Sequence, residues 1–187
     1  FVDPSPNSTV RDGVVVVNVL NAVGVGTGLE LRDSGNSTIS NIYLTVIGGS
    51  NANGIIVFGS PGVKIQGASV QADSQEAVGI RLDNSGGSII GGPLVADGNT
   101  ANVNGGQSAH GIQVKGAGLV TVRNNLLNAT GNDLSVGINL DNAPDSAVVS
   151  NEVNVSTPPA SMGRAEGIIL KVASESVVGG PTPPEGN

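Results

Sequence analysis

Cysteine is absent from the 187 residues, which excludes disulfide bonds and thiolate metal sites anywhere in the chain. Aromatic residues make up only 2%, whereas a globular core of this size normally relies on Phe, Tyr and Trp. No window reaches about 18 consecutive apolar residues, so no transmembrane helix is expected. No signal peptide is recognisable, and a start at Phe1 followed by Val-Asp-Pro is typical of a mature or trimmed chain.

Positive charge is also scarce, since 8 basic residues stand against 15 acidic ones for a net charge of −7. The basic residues are scattered and form no patch. An acidic protein is not attracted to nucleic acid or to an anionic membrane surface. We therefore expect neither nucleic acid as a partner nor insertion into a membrane.

The chain has instead 29 glycines and an apolar content of Val, Ile, Leu and Ala. These residues stand in short runs bounded by Gly, Asn, Asp and Ser. Such runs are typical of short β-strands separated by tight turns around a narrow interior. One domain or one stack of repeats fits this length.

Two phrases repeat along the chain, which predicts a solenoid. The first, Gly-[Ile/Leu]-x-[Leu/Val], begins at Gly28, Gly54, Gly79, Gly111, Gly137 and Gly167. The second, with the core pattern seen in TVRNNLL, follows each copy of the first. A Gly-rich β-sandwich is the alternative fold, but a sandwich does not require the same sequence motifs to recur along the chain. Each coil should supply about three short strands that pair in parallel with the next coil.

Alternation along each strand predicts which side chains point inward. The expected inward rows of the first strand are Leu29, Ile55, Ile80, Ile112, Ile138, Ile168 and Leu31, Val57, Leu82, Val114, Leu140, Leu170. The expected inward row of the second strand is Ile39, Ile65, Ile90, Val122, Val149 and Val178. Sharp bends are expected at Asn41, Asn124 and Asn151, with Gly67, Gly92 and Gly180 in the same role, because Asn and Gly tolerate a positive φ.

The segment GIQVKGAGLVTVRNNLL, residues 111–127, closely resembles the coil of the right-handed parallel β-helix in the pectin-lyase-like superfamily. The resemblance covers roughly residues 14–180 and implies an all-β, right-handed parallel β-helix (β-solenoid) of about six to seven coils. Residues 1–13 are expected to be a cap or lead-in, and residues 181–187 a proline-containing tail that cannot continue a ladder. No amphipathic capping helix is predicted at either end.

Outward positions carry the polar residues. The fifth residues of the first phrase are Arg32, Phe58, Asp83, Lys115, Asp141 and Lys171. From Asp83 onward their signs alternate, which favours ion pairs between neighbouring coils. The third residues are Glu30, Ile56, Arg81, Gln113, Asn139 and Ile169.

Two coils are longer than the others, with the extra residues placed in 97–110 and 156–166. If both insertions lie at the corner before the Gly-Ile phrase, they flank a notch with Gln113, Lys115, Asn139 and Asp141 as its floor. This notch is the predicted ligand site, because loops carry function on such scaffolds. His110, the one histidine, borders it, although a loop residue without a role is the simpler interpretation.

The motifs of enzymes in this superfamily are missing or fragmentary. The relatives that cleave pectate use a calcium-binding carboxylate cluster, whereas here Asp83 and Asp141 are two coils apart. The relatives that hydrolyse polygalacturonate have Asn-Thr-Asp and Gly-His-Gly phrases, which residues 141–145 and His110-Gly111 match only in fragments. No catalytic residue, cofactor or metal site is therefore assigned.

The sequence predicts a secreted or cell-surface, non-catalytic solenoid module with a structural, adhesive or self-associating role, by end-to-end stacking of coils or as a filament subunit. The alternative is a polysaccharide-acting enzyme of lyase, hydrolase or epimerase type, or a carbohydrate-binding module, that uses the notch. Expected partners are a second copy of the chain or an extracellular polysaccharide. Glycosylation sequons stand at Asn7, Asn36, Asn128 and Asn154.

Overall fold

The computed structural model describes residues 4–19, 21 and 23–179, and in this part the chain is a parallel β-helix of about six turns. The predicted all-β solenoid is thus confirmed. The predictions for Phe1, Gly180 and the tail 181–187 lie outside the described residues. The strands are β1 Thr9–Arg11, β2 Val14–Asn18, β3 Val25–Arg32, β4 Thr38–Ser40, β5 Tyr43–Ile47, β6 Asn51–Phe58, β7 Lys64–Gln66, β8 Ser69–Asp83, β9 Ile89–Ile90, β10 Thr100–Lys115, β11 Thr121–Arg123, β12 Leu126–Gly131, β13 Leu134–Asp141, β14 Ala147–Val149, β15 Glu152–Ser156, β16 Arg164–Lys171 and β17 Val177–Val178.

Each coil contributes one strand to each of three faces. The first face contains the Gly-Ile phrases, in β3, β6, the second halves of β8 and β10, β13 and β16. The second face is the sheet β1-β4-β7-β9-β11-β14-β17. The third face contains β2, β5, the first halves of β8 and β10, β12 and β15. Because β1 pairs with β4, the ladder already includes residues 9–11, which the sequence places in a lead-in.

The predicted inward rows of the first face form the core. Register places Leu29 beside Ile55, and the row continues through Ile80, Ile112, Ile138 and Ile168. In the middle coils these side chains are fully buried, at 0% exposure for Ile55, Ile80, Ile112 and Ile138. The solenoid interior is therefore a stack of aliphatic layers, as the sequence pattern predicts.

Glycine opens the repeated phrase for a steric reason. A Cβ added to Gly54, Gly79, Gly111 or Gly137 would lie 2.5–2.6 Å from the carbonyl oxygen of the equivalent glycine one coil further on. At Gly167, the last glycine of this row, a Cβ would meet nothing within 4 Å. The close approach of successive coils at this point thus admits no side chain.

The second face differs from the prediction by one residue. Val148, not Val149, lies in the inward row between Val122 and Val178. Ser150 accordingly takes the bend with a φ of 54°, in register with Asn124 at 55°. The prediction of a bend at Asn151 is therefore wrong. The bend predicted at Gly92 is wrong too, since Gly91, with a φ of 101°, takes the positive φ there.

Asn151 belongs instead to a buried amide ladder with Asn99 and Asn125. The Nδ2 of Asn99 donates to the Oδ1 of Asn125 over 2.9 Å, and Asn125 donates to Asn151 over 2.8 Å. The same amides donate to the backbone carbonyls of Ile65 and Ile90. The ladder thus satisfies backbone groups at the corner where the second strands end, which buried polar groups require.

Candidate functional site

The five predicted site residues lie together on the first face. Gln113 is in register with Asn139, and Lys115 with Asp141, on the adjacent strands β10 and β13. His110 precedes them on β10, opposite Val136. Gln113 and Asn139 are buried, at 8% and 6% exposure, so the floor of the predicted notch presents little of its amide surface to solvent.

The notch itself is not formed, because the two insertions lie at different corners. Ile90 and Asn99 are nine positions apart in the sequence. Their equivalents in the next coil, Val122 and Asn125, are only three positions apart. The extra residues of the longer coil therefore fall in 92–98. This insertion contains the 3-10 turn Val95–Asp97 and follows the second face. The other insertion, 157–163, joins the third face to the first. The prediction that 97–110 holds the extra residues is wrong, since most of that stretch is regular strand in β10.

The charged row on the first face also differs from its prediction. Asp83 pairs with Arg81 two residues earlier on its own strand, with 2.7 Å between Nη2 and Oδ2. Among the described residues, no ion pair within 4 Å joins Lys115 to Asp83 or Asp141. Arg81 has a long side chain that lies on the same side of β8 as Asp83, so it reaches the Asp83 carboxylate within its own coil.

Three polar atoms on the first face are buried without a hydrogen-bond partner: His110 Nδ1, Asn139 Oδ1 and Asp83 Oδ1. Such atoms are uncommon in folded proteins and often mark a place where a ligand or water binds. Glu166 is the acidic residue in the row of His110, but Val136 lies between them and Glu166 is paired with Arg164. The register therefore supports no His–carboxylate pair.

Burial and the nearby Lys115 lower the pKa of His110 below its ordinary value, while Glu76 acts in the opposite direction. Because a lowered pKa means that the unfolded chain binds the proton more readily, stability falls as the pH drops through the ordinary value of about 6.5. Above that pH, the contribution of neutral His110 to the folding stability is fully present.

We expect the imidazole signals of the one histidine to titrate in NMR with a midpoint below that of the unfolded chain. Lys115→Ala should move this midpoint upward, since it removes a repulsive charge, and Glu76→Gln should move it further downward. Lys64→Ala, on the second face, is the control and should leave the midpoint unchanged. A midpoint at or above the unfolded value would contradict the burial of the ring.

The third face carries rows of polar residues that the repeated phrases did not predict. Its central outward row, here called the amide row, is Gln71, Asn102, Asn128 and Asn154. The next outward row is Asp73, Asn104, Thr130 and Ser156. A signal was available, because Asn102, Asn128 and Asn154 recur at a constant spacing of 26 residues. Two of the four sequons, at Asn128 and Asn154, thus occupy adjacent positions of one row.

Three cavities open along this face. One of about 380 Å³ lies beside the 92–98 insertion, with Val95, Leu126 and Glu152 in its lining. The other two, of about 350 and 420 Å³, share Asn128 and Thr130. These three concavities lie on the third face and at its corner with the second face.

Residues 4–19, 21 and 23–179 contain no group of three or more His, Asp or Glu side chains placed to hold a metal ion. In the same residues, no helix has both the length and the apolar character needed to cross a membrane.

No protein-family model matches the chain. No curated protein matches it either. Among solved structures, the chain is similar to the A-module of a mannuronan C-5 epimerase from Azotobacter vinelandii. The match has 16% identity and a TM-score of 0.23, and it covers 94% of this chain and 59% of that one. This chain thus spans less than two thirds of that module, which is itself a parallel β-helix.

Proposed function

We propose that the chain is a non-catalytic structural module of a secreted or cell-surface protein that associates head to tail by continuing its own β-helix. The observation that supports the proposal is the correspondence between the first and last strands of the described residues. Among these residues, β1, β2 and β3 at one end and β15, β16 and β17 at the other are each paired on one side, and an unpaired edge is a template for another strand. The resemblance to an extracellular superfamily supports the location.

The carboxyl-terminal end exposes core positions. Ile168 and Leu170 are 39% and 43% exposed, and Val178 is 48% exposed, although their equivalents one coil earlier are buried. The edge strands at this end are β15, β16 and β17, each paired on one side. Apolar surface and a free ladder edge favour burial against a further coil.

The amino-terminal end offers edge strands of corresponding lengths. On the first face, β3 and β16 both have eight residues, and on the third face, β2 and β15 both have five. On the second face, β1 has three residues and β17 has two. A second copy can therefore continue the ladders of the first and third faces. On the second face, its β1 would then lie at the level of β17, because that sheet has one strand more than each of the other faces, so one of these two short strands must be displaced.

If the register between neighbouring coils also holds between two copies, equivalent positions of the repeat meet at the junction. Leu29 lies over Ile168 and Leu31 over Leu170, while Val15 and Val17 lie over Val153 and Val155. The contacts are apolar at every one of these inward positions. The interface is heterologous and does not close on itself, so it generates filaments rather than rings.

One outward pair is unfavourable in this register, because Arg32 of one copy meets Lys171 of the other. Like charges directly opposite each other on parallel strands are destabilising. Association should therefore strengthen with added salt, which screens the repulsion. The Lys171→Glu substitution should strengthen it at low salt.

Sedimentation velocity over a range of concentrations tests the proposal. We expect the wild-type chain to form species larger than the monomer. Gly167→Ala should fold normally, because its Cβ meets nothing within 4 Å in one copy, and should weaken association at least about tenfold, because the next coil approaches there. Val95→Ala, an exposed change on a lateral loop, is the control. A Gly167→Ala variant that associates as well as wild type would refute continuation of the ladder.

Carbohydrate binding is the second candidate function, whether as a binding module or as part of a polysaccharide-acting enzyme. The half-buried side chains of His110, Lys115 and Asp141 offer donors and acceptors to a hydroxylated ligand on the first face. Gln113 and Asn139 lie beside them but are buried. This candidate assigns no catalytic residue, because no carboxylate of the described residues lies within 4 Å of a His110 nitrogen.

A further inference from the structure

From β8 to β15, the outward side of the third face is built mainly from amides and hydroxyls, whereas Val14, Val16 and Ile47 are exposed on β2 and β5. Besides the amide row and the row of Asp73, its third outward row is Ser69, Thr100, Leu126 and Glu152. These rows contain no Lys or Arg, and their charged members are Asp73 and Glu152. The face therefore offers no electrostatic attraction to a polyanion.

Hydrogen bonds along the amide row hold its side chains in place. The Nδ2 of Asn128 donates to the Oδ1 of Asn102 over 2.8 Å, and the Nδ2 of Asn154 donates to the Oδ1 of Asn128 over 3.1 Å. Each primary amide has two N–H donors and two acceptor lone pairs, so a donor and an acceptor of Asn128 remain available for a ligand. Ligand binding to such a pre-ordered row costs little side-chain entropy.

Shallow concavities lie along this row. The two that share Asn128 and Thr130 follow the row across the strands, and the third continues at the corner where Val95 and the 92–98 insertion stand beside Glu152. At the other end of the face, Tyr43 is 62% exposed and in register with Ser69. An exposed aromatic ring supplies an apolar platform with a polar tip.

We propose that the third face binds a neutral polysaccharide that runs across the strands, along the solenoid axis. The amide row donates to and accepts from its hydroxyl groups, and the coil spacing of roughly 4.8 Å repeats these contacts along the ligand. Tyr43 packs against a sugar ring at one end. The acidic character of the face excludes uronic acid polymers, which carry a charge on each residue.

This proposal does not depend on head-to-tail association, because the third face is lateral to the stack. Binding is therefore measured on the Gly167→Ala background, which weakens association if the ladder continues between copies. Loss of association and loss of glycan binding are then separate results.

The experiment is affinity electrophoresis and calorimetry with soluble neutral glycans (mannan, glucan and starch fragments) and with the anionic polymers polygalacturonate and alginate. We expect binding to at least one neutral glycan that changes little with salt. The triple variant Asn102→Ala, Asn128→Ala, Asn154→Ala should weaken it at least about tenfold, since three sets of hydrogen bonds are lost. Tyr43→Ala should weaken it less.

The matched control is Lys64→Ala on the second face, which should leave binding unchanged. Binding lost in the double variant Lys115→Ala, Asp141→Ala and kept in the triple variant would assign the glycan to the first face and overturn the proposal. Binding to the anionic polymers alone, or no binding to any neutral glycan, would also overturn it. Circular dichroism of the triple variant establishes that its fold is retained.

Discussion

Gly79→Ala is expected to lower the free energy of unfolding by about 2–4 kcal/mol, although it adds only one methyl group. The new Cβ would lie 2.6 Å from the carbonyl oxygen of Gly111 and 2.9 Å from the Cβ of Ala101. Neither atom belongs to a flexible side-chain end, so two coils must separate. Urea unfolding followed by circular dichroism measures the loss.

Gly167→Ala is the matched control for this change. It occupies the same position of the phrase, but its Cβ meets no atom within 4 Å. We expect it to be neutral or to stabilise the monomer by up to about 1 kcal/mol, since alanine restricts the unfolded chain. Equal losses for the two variants would show that the glycine row does not reflect contact between coils.

The second large effect is expected for Asn125→Ala. Asn125 is 2% exposed, and its Oδ1 accepts from the backbone N–H of Asn99 while its Nδ2 donates to the carbonyl of Ile90. Removal of the amide leaves two buried donors of Asn99, the backbone N–H and one side-chain N–H, without the Oδ1 that they share. At roughly 1–3 kcal/mol for each orphaned group, the free energy of unfolding should fall by about 2–6 kcal/mol.

Asn128→Ala, three residues later in the same coil, provides the comparison. Its amide is part of the outward row and bonds to other side chains rather than to buried backbone. We expect a change within about 0.5 kcal/mol. If the two substitutions cost the same, the buried ladder does not stabilise the corner as described.

The sequence predicts the inward rows of the first face because Gly, Ile and Leu recur at fixed positions there. It fails at Val149 because two apolar residues stand side by side in 148–149, and a shift of one residue exchanges the two sides of a strand. Asn124 and Asn125 present the same ambiguity. Asn124 takes the bend and Asn125 joins the buried amide ladder, and only the register of the neighbouring coils distinguishes the two residues.

The prediction of a notch is wrong for a related reason. The long interval between Gly79 and Gly111 gives the number of extra residues but not the corner of the coil at which they lie. Both 92–98 and 104–107 are rich in Gly and Asn or Asp, so composition alone does not separate them. The register of Gln113 with Asn139 was predictable, since both belong to the repeated phrase.

The central claim is that the described ends can continue the β-helix from one copy to the next. Cryo-electron microscopy of the concentrated wild-type chain tests it most directly. The account predicts unbranched filaments one solenoid wide, with β3 of one copy paired in parallel with β16 of the next and the strand spacing of about 4.8 Å uninterrupted at the junction. A chain that stays a monodisperse monomer at high concentration, or that assembles through its lateral faces, would contradict it.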